Sequence, residues 1–237
     1  PVGDVKTRDK GTINIELKRY VFNNNGTVNA NLSKTEPEEK LKVSTSASEY
    51  YTEGLKNSVT TNTHAKDIAD FRAKAKRNHG YYIGRYEART TIERKTKDDN
   101  LTQITTKPND YVYNRVTQQQ AATLSRGMYE GTPFESDLVN SYAWDTATLF
   151  LQTIDNRTTD KSQKYSIQTS LNTSLANKGT NNLTETSKQD KICNVYDMAS
   201  NCLEWSTETC SAGGLPCATR GGFYYSSSVF TSRRHDD

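Results

Sequence analysis

One stretch of this 237-residue chain limits its architecture more than any other. It is Cys193-Asn194-Val195-Tyr196-Asp197-Met198-Ala199-Ser200-Asn201-Cys202-Leu203-Glu204-Trp205, followed after a short gap by Arg220-Gly221-Gly222. Asn194–Trp205 reads as a loop running into a core strand. Met198 and Trp205 are candidate core residues, with Trp205 expected to anchor packing between sheet and helices. Gly221 and Gly222 allow a positive φ or a close approach of two backbones. Arg220 calls for a fixed structural partner, and Glu204 is the natural carboxylate.

The rest of the composition says how much of the chain a core can occupy. Only 32% of residues are hydrophobic and the mean hydropathy is −0.88. Much of the length must therefore be exposed loop or long polar insertion. The length suits one domain, 1–237, carrying such insertions. Net charge is only +3, with both signs interspersed, which gives no reason to expect a nucleic-acid partner. No apolar stretch approaches the roughly 18–20 residues of a membrane span.

The four cysteines, Cys193, Cys202, Cys210 and Cys217, all fall in the last quarter. They allow two disulfides in three pairings, or four reduced thiols. There is no C-x-x-C and the three histidines are scattered, which argues against structural zinc.

Along the chain, Ile13, Ile15 and Leu17 alternate with polar residues and lead into Tyr20-Val21-Phe22, which reads as a strand with one buried face. Asn23-Asn24-Asn25-Gly26 is a turn. A weak helix is expected near 46–56 within a polar insertion at about 23–66, and a short one near 65–77. Tyr81–Ala88 reads as a strand. Glu87 within it is either a catalytic carboxylate or a paired structural one. Thr117 and Gln120 have the spacing of a capping box. The strongest helix is expected over about 135–153, with Leu138, Tyr142, Ala143, Ala147, Phe150, Leu151 and Ile154 on one face and Ser136 as cap. Trp144 on that helix is a candidate core residue. A second polar insertion covers about 155–190.

These segments together resemble the formylglycine-generating-enzyme (sulfatase-modifying-factor) family, a branch of the C-type-lectin fold. Asn194–Trp205 with Arg220-Gly221-Gly222 is similar to its N-x-Y-D-M-x-G-N-x-x-E-W…R-G-G signature, with Ser200 in place of a Gly. Tyr81–Ala88 is similar to its F-x-[IM]-G-[RK]-Y-E-V segment. Val116–Ala121 is similar to V-[ST]-W-x-x-A, with Gln118 in place of Trp, and Ser141–Ala147 occupies the place of T-E-A-E-W-E-Y-A. The resemblance implies an α+β, C-type-lectin-like fold with its core at about 80–155 and 191–237. It also implies that residues of the signature segment help hold calcium, and here Asn201 and Glu204 are the matching oxygen donors. No other cofactor is expected.

In the oxidases of that family, a catalytic cysteine lies a few residues after R-G-G and a second lies five further on. This chain has Ser226 and Thr231 there. A hydroxyl cannot supply the thiolate that copper and redox chemistry require, so the expected protein is not an enzyme. The C-terminal residues are dominated by Tyr and Ser, a composition that suits a recognition surface. Tyr224, Tyr225, Ser227, Phe230, Ser232, Arg233 and His235 are the candidate ligand-binding residues. The resemblance extends to retroelement-diversified variable proteins, which place their variable residues in this part of the chain. It implies a surface-recognition protein on a cell or virion, whose partner is a protein or glycan on a cell or phage surface. The alternatives are an oxidase-like enzyme and a structural subunit of pilin or tail-fibre type.

Overall fold

A computed structural model describes residues 15–23, 26–29, 68–96, 99–108, 110–154, 191–209, 217–222, 231 and 234–236. Among them are three helices and three small antiparallel sheets. Helix α1 is Ile68–Arg77, α2 is Gln118–Gly127 and α3 is Ser141–Ile154. Strands β1 (Arg89–Thr90) and β2 (Tyr111–Val112) pair, as do β3 (Lys191–Ile192) and β4 (Val195–Tyr196). The largest sheet has the order β5 (Glu204–Thr209), β6 (Cys217–Arg220), β7 (Arg234–Asp236). The expected helix near 46–56 and most of both polar insertions lie outside the described residues.

The core is built where α3 meets the hairpin and loop that precede β5. Trp144, Ala147 and Leu151 from α3 pack with Ile192, Met198 and Ala199, and Val139, Phe150, Cys193 and Val195 border them. The spacing of Trp144, Ala147 and Leu151 puts all three on one stripe of the helix. That stripe is not purely apolar, because Asp145, Thr148 and Gln152 are buried alongside it. Each buried polar group on a helix needs a partner, and α3 finds two of these partners in an unusual place.

They lie in residues 15–29. The alternation there predicts a strand, but the described residues form only a single bridge, Phe22 to Val28, closed by Gly26 at φ +78°. Instead of pairing with a strand, this segment lies as a strap on α3. Its backbone is satisfied by helix side chains. The Lys18 amide donates to Thr146 Oγ1 (3.2 Å), the Thr146 hydroxyl faces the Lys18 carbonyl (3.1 Å), the Tyr20 amide donates to Asp145 Oδ2 (3.0 Å), and Gln152 Nε2 donates to the Gly26 carbonyl (2.7 Å).

Three further expectations are corrected. First, α3 begins at Ser141, not near Glu135. Ser136 and Asp137 have other bonds: the Ser136 hydroxyl donates to the Ser125 carbonyl, and Asp137 accepts from Arg126 Nε at 2.9 Å. The capping oxygen is Asn140 Oδ1, which accepts the Ala143 amide at 2.9 Å. Second, Tyr81–Ala88 is not a strand. The chain bends at Arg85-Tyr86, and Tyr82 is 96% exposed. Gly84 sits so close to the Tyr86 carbonyl that a Cβ would come within 3.0 Å. Two side chains dock this segment: the Tyr81 hydroxyl donates to the Ala143 carbonyl, and the Tyr86 ring stacks on Tyr196. Third, Trp205 is only partly buried and lies outside the core cluster. Its indole N–H reaches past the sheet to the Val116 carbonyl at 2.8 Å, which ties β5 to the start of α2.

Helix α2 carries the full capping box: Thr117 Oγ1 accepts the Gln120 amide and Gln120 Oε1 accepts the Thr117 amide. Gln118 is buried and aims Nε2 at the carbonyls of Ser206 and Glu208. It is a polar bolt between helix and sheet.

Candidate functional site

Three groups of residues meet around the signature segment. The first is centred on Arg220, the last residue of β6, which is 3% exposed. Its Nε donates to Glu208 Oε1 at 2.6 Å, and its Nη1 lies 3.1 Å from Asp145 Oδ1. The carboxylates that fix it are thus on β5 and α3, where the sequence pointed to Glu204. Glu204 lies opposite Arg220 in the β5–β6 register. The register is irregular between Trp205 and Thr209. That irregularity lets Glu208, four residues further on, reach the same guanidinium. Ser206 Oγ supports Glu208 Oε1 at 3.1 Å. Burial, with the neighbouring Glu208 adding to it, pushes the Asp145 carboxyl up to about 6; Arg220 and Arg19 pull the other way.

The second group surrounds Glu87, which is buried. Asn201 Nδ2 donates to its Oε2, the Cys202 amide donates to its Oε1 at 3.1 Å, and Arg89 Nη2 stands 3.5 Å from Oε2. Burial, then the nearby Glu204 charge, pushes Glu87 up to about 8. Glu87 is therefore a neutral, hydrogen-bonded structural carboxyl at pH 7, which is the second of its two sequence readings. Burial and the carboxylates of Glu87 and Glu204 also push the Cys202 thiol well above its ordinary range. Such a thiol is a poor nucleophile.

This donor set does not fit calcium. The ion takes six to eight oxygens, several of them charged. Here both Glu87 oxygens accept N–H donors, and Asn201 turns its amide nitrogen toward Glu87. Among the described residues no group of three or more His, Cys, Asp or Glu could hold a metal ion.

The third group is the turn after β6. Gly221 has φ +77°, and a Cβ on it would stand 2.8 Å from the Met198 carbonyl and 3.7 Å from the Trp144 ring. Any larger residue would force these two segments apart. Gly222 beside it is buried. Trp144, 1% exposed, donates its indole N–H to the Thr231 carbonyl at 2.8 Å, and Thr231 itself is fully buried. Trp144, Met198 and Gly221 thus meet at one point, with Thr231 held against it.

Of the expected ligand-binding residues, Tyr224, Tyr225, Ser227, Phe230, Ser232 and Arg233 lie outside the described residues, as does Ser226. His235 is described only through its backbone, which pairs with Thr219 in β6. Cys193, Cys202 and Cys217 are free thiols, Cys217 being buried in β6. The sequence reading missed Asp145, Glu208 and Gln118 as parts of the site. For Asp145 a signal was available: Asp145, Thr148 and Gln152 recur at helical spacing on a helix whose apolar stripe is narrow. Glu208 was hidden by the strand irregularity, which no local pattern announces.

Comparison with protein-family models, with curated proteins and with solved structures found no match. No helix among the described residues is long and apolar enough to cross a membrane.

Proposed function

We propose that the protein is a non-catalytic binding module, a formylglycine-generating-enzyme-like scaffold of C-type-lectin type that presents its C-terminal residues to a protein or glycan on a cell or phage surface. One observation carries the reading. The residues that bear the resemblance, Trp144, Met198 and Gly221, converge on Thr231, one of the two positions where the oxidases carry a thiol. Thr231 offers only a hydroxyl. The described thiol beside the site, Cys202, is held protonated by burial and by carboxylates.

In this reading the chain works outside the cell or on a virion. Tyr224 and Tyr225 are the main anchors of the face, with Ser227, Phe230, Ser232, Arg233 and His235 around them. The function needs no metal or cofactor.

The test uses the whole chain against a glycan array and intact bacterial cells. The parent should be retained, and the double variant Tyr224→Ala, Tyr225→Ala should lose at least about tenfold in retention, or roughly 1.4 kcal/mol, at an unchanged melting temperature. Equal retention of parent and variant would remove these residues from the face. A reverse transcriptase encoded nearby, with a template differing from this 3′ end only at adenines, would mark the face as diversified.

A further inference from the structure

The strap over α3 covers an unbalanced set of charges. Asp145 and Glu208 face the single Arg220 guanidinium, and all three side chains are at most 4% exposed. Two carboxylates and one guanidinium leave one negative charge in excess. Burying such a charge is costly, and the usual relief is a proton.

The strap closes this site directly. Its Tyr20 amide donates to Asp145 Oδ2, while Asp145 Oδ1 faces Arg220. The next residue of the helix, Thr146, holds Lys18 through both its amide and its carbonyl. Asp145 therefore sits at the junction of strap, helix and sheet.

We propose that docking of residues 15–23 and 26–29 on α3 takes up a proton at the Asp145–Glu208 carboxylate pair, so that the strap closes in acid and loosens as the pH rises. The sign follows from the charges. A closed strap excludes water and disfavours the second negative charge, whereas an open strap lets water solvate it. The charged and titratable groups around Asp145 are Arg220 and Glu208 from the sheet, Arg19 and Tyr20 from the strap, and Tyr81 from the segment after α1. Arg19 offsets part of the excess charge but does not outweigh burial, which leads the causes that hold the Asp145 carboxyl at about 6. That value exceeds the ordinary 3.8 by about two units, which caps the coupling at roughly a hundredfold change in the opening equilibrium.

Amide hydrogen exchange on the whole chain reads this opening. After correction for the intrinsic pH dependence of exchange, the Tyr20 and Asn29 amides should be more protected at pH 5 than at pH 7.5, by up to about a hundredfold. The Trp144 amide, bonded to the Asn140 carbonyl inside the fold, should show no such ratio. Asp145→Asn keeps an acceptor for the Tyr20 amide but cannot titrate, so it should flatten the pH dependence. If that variant fails to fold, Thr146→Val serves instead. It weakens the strap without touching a titrating group, and should raise strap exchange by one common factor at both pH values. Equal corrected protection of the parent at the two pH values would overturn the proposal. So would a pH ratio that survives Asp145→Asn, a ratio lost in Thr146→Val, or a Trp144 amide that follows the strap.

Discussion

Arg220 shows what a single residue contributes. Its planar fork reaches two carboxylates on two elements, Nε to Glu208 and Nη1 to Asp145. Removing it leaves both acids buried without their cation, so Arg220→Ala should cost roughly 3–5 kcal/mol in urea unfolding. Arg220→Lys should recover little, because an ammonium cannot divide itself along the same fork. A loss under about 1 kcal/mol would show that water already reaches the pair. Glu87 gives a pH signature. Its carboxyl titrates near 8 in the fold against an ordinary 4.5, so the folded state holds its proton where the unfolded chain has released it. Its contribution is complete below about 4.5 and is lost as the pH rises to about 8. Stability should therefore fall more steeply between pH 5 and 8 in the parent than in Glu87→Gln. Parallel curves would mean that Glu87 is ionised in the fold. At this scale the sequence was legible where chemistry leaves one option. Trp144 and Met198 are large and apolar and are buried. The partner of Arg220 was not legible, because Glu204, Glu208 and Asp145 were all within reach and only the strand irregularity selects among them.

Among the elements, the helices were read better than the strands. The α2 capping box was visible because its two hydrogen bonds join residues three apart. The start of α3 was placed too early, because Ser136 and Asp137 look like a cap but bond to α2 and its C-terminal side. Asn140→Ala should therefore cost about 1 kcal/mol, while Ser136→Ala should leave the helix start unchanged. Circular dichroism with thermal unfolding compares the two, and a larger loss from Ser136→Ala would restore the earlier start. The segments 15–22 and 81–88 were misread for one shared reason. Alternation predicts an extended chain, but a strand also needs a neighbour to accept its backbone bonds. The first finds helix side chains, and the second is docked by two tyrosines.

At the scale of the molecule, stability should depend on the junction of α3 with the turn after β6. Trp144→Ala removes a fully packed ring and the bond to Thr231, and should cost roughly 3–5 kcal/mol. Trp205→Ala, at a partly exposed site, should cost distinctly less; equal losses would place Trp205 in the core after all. The proposed absence of oxidase chemistry is tested on the whole protein. A sulfatase-motif peptide incubated with it, copper and oxygen should show no aldehyde by mass spectrometry, and turnover above a protein-free blank would contradict this.

Arg94 has a consequence for how this fold would look across a set of relatives. It is buried, and its guanidinium donates only to main-chain carbonyls: Nε to Asn114, Nη1 to Asp99 and Asn100, and Nη2 to Arg115. One side chain thus holds the ends of the connection between β1 and α2 without asking anything of the side chains at those four positions. Every residue type has a carbonyl, so mutations at 99, 100, 114 and 115 can drift while position 94 cannot. A coevolution map would show the arginine fixed and no partner varying with it. The contact that closes this part of the fold would leave no covariation signal.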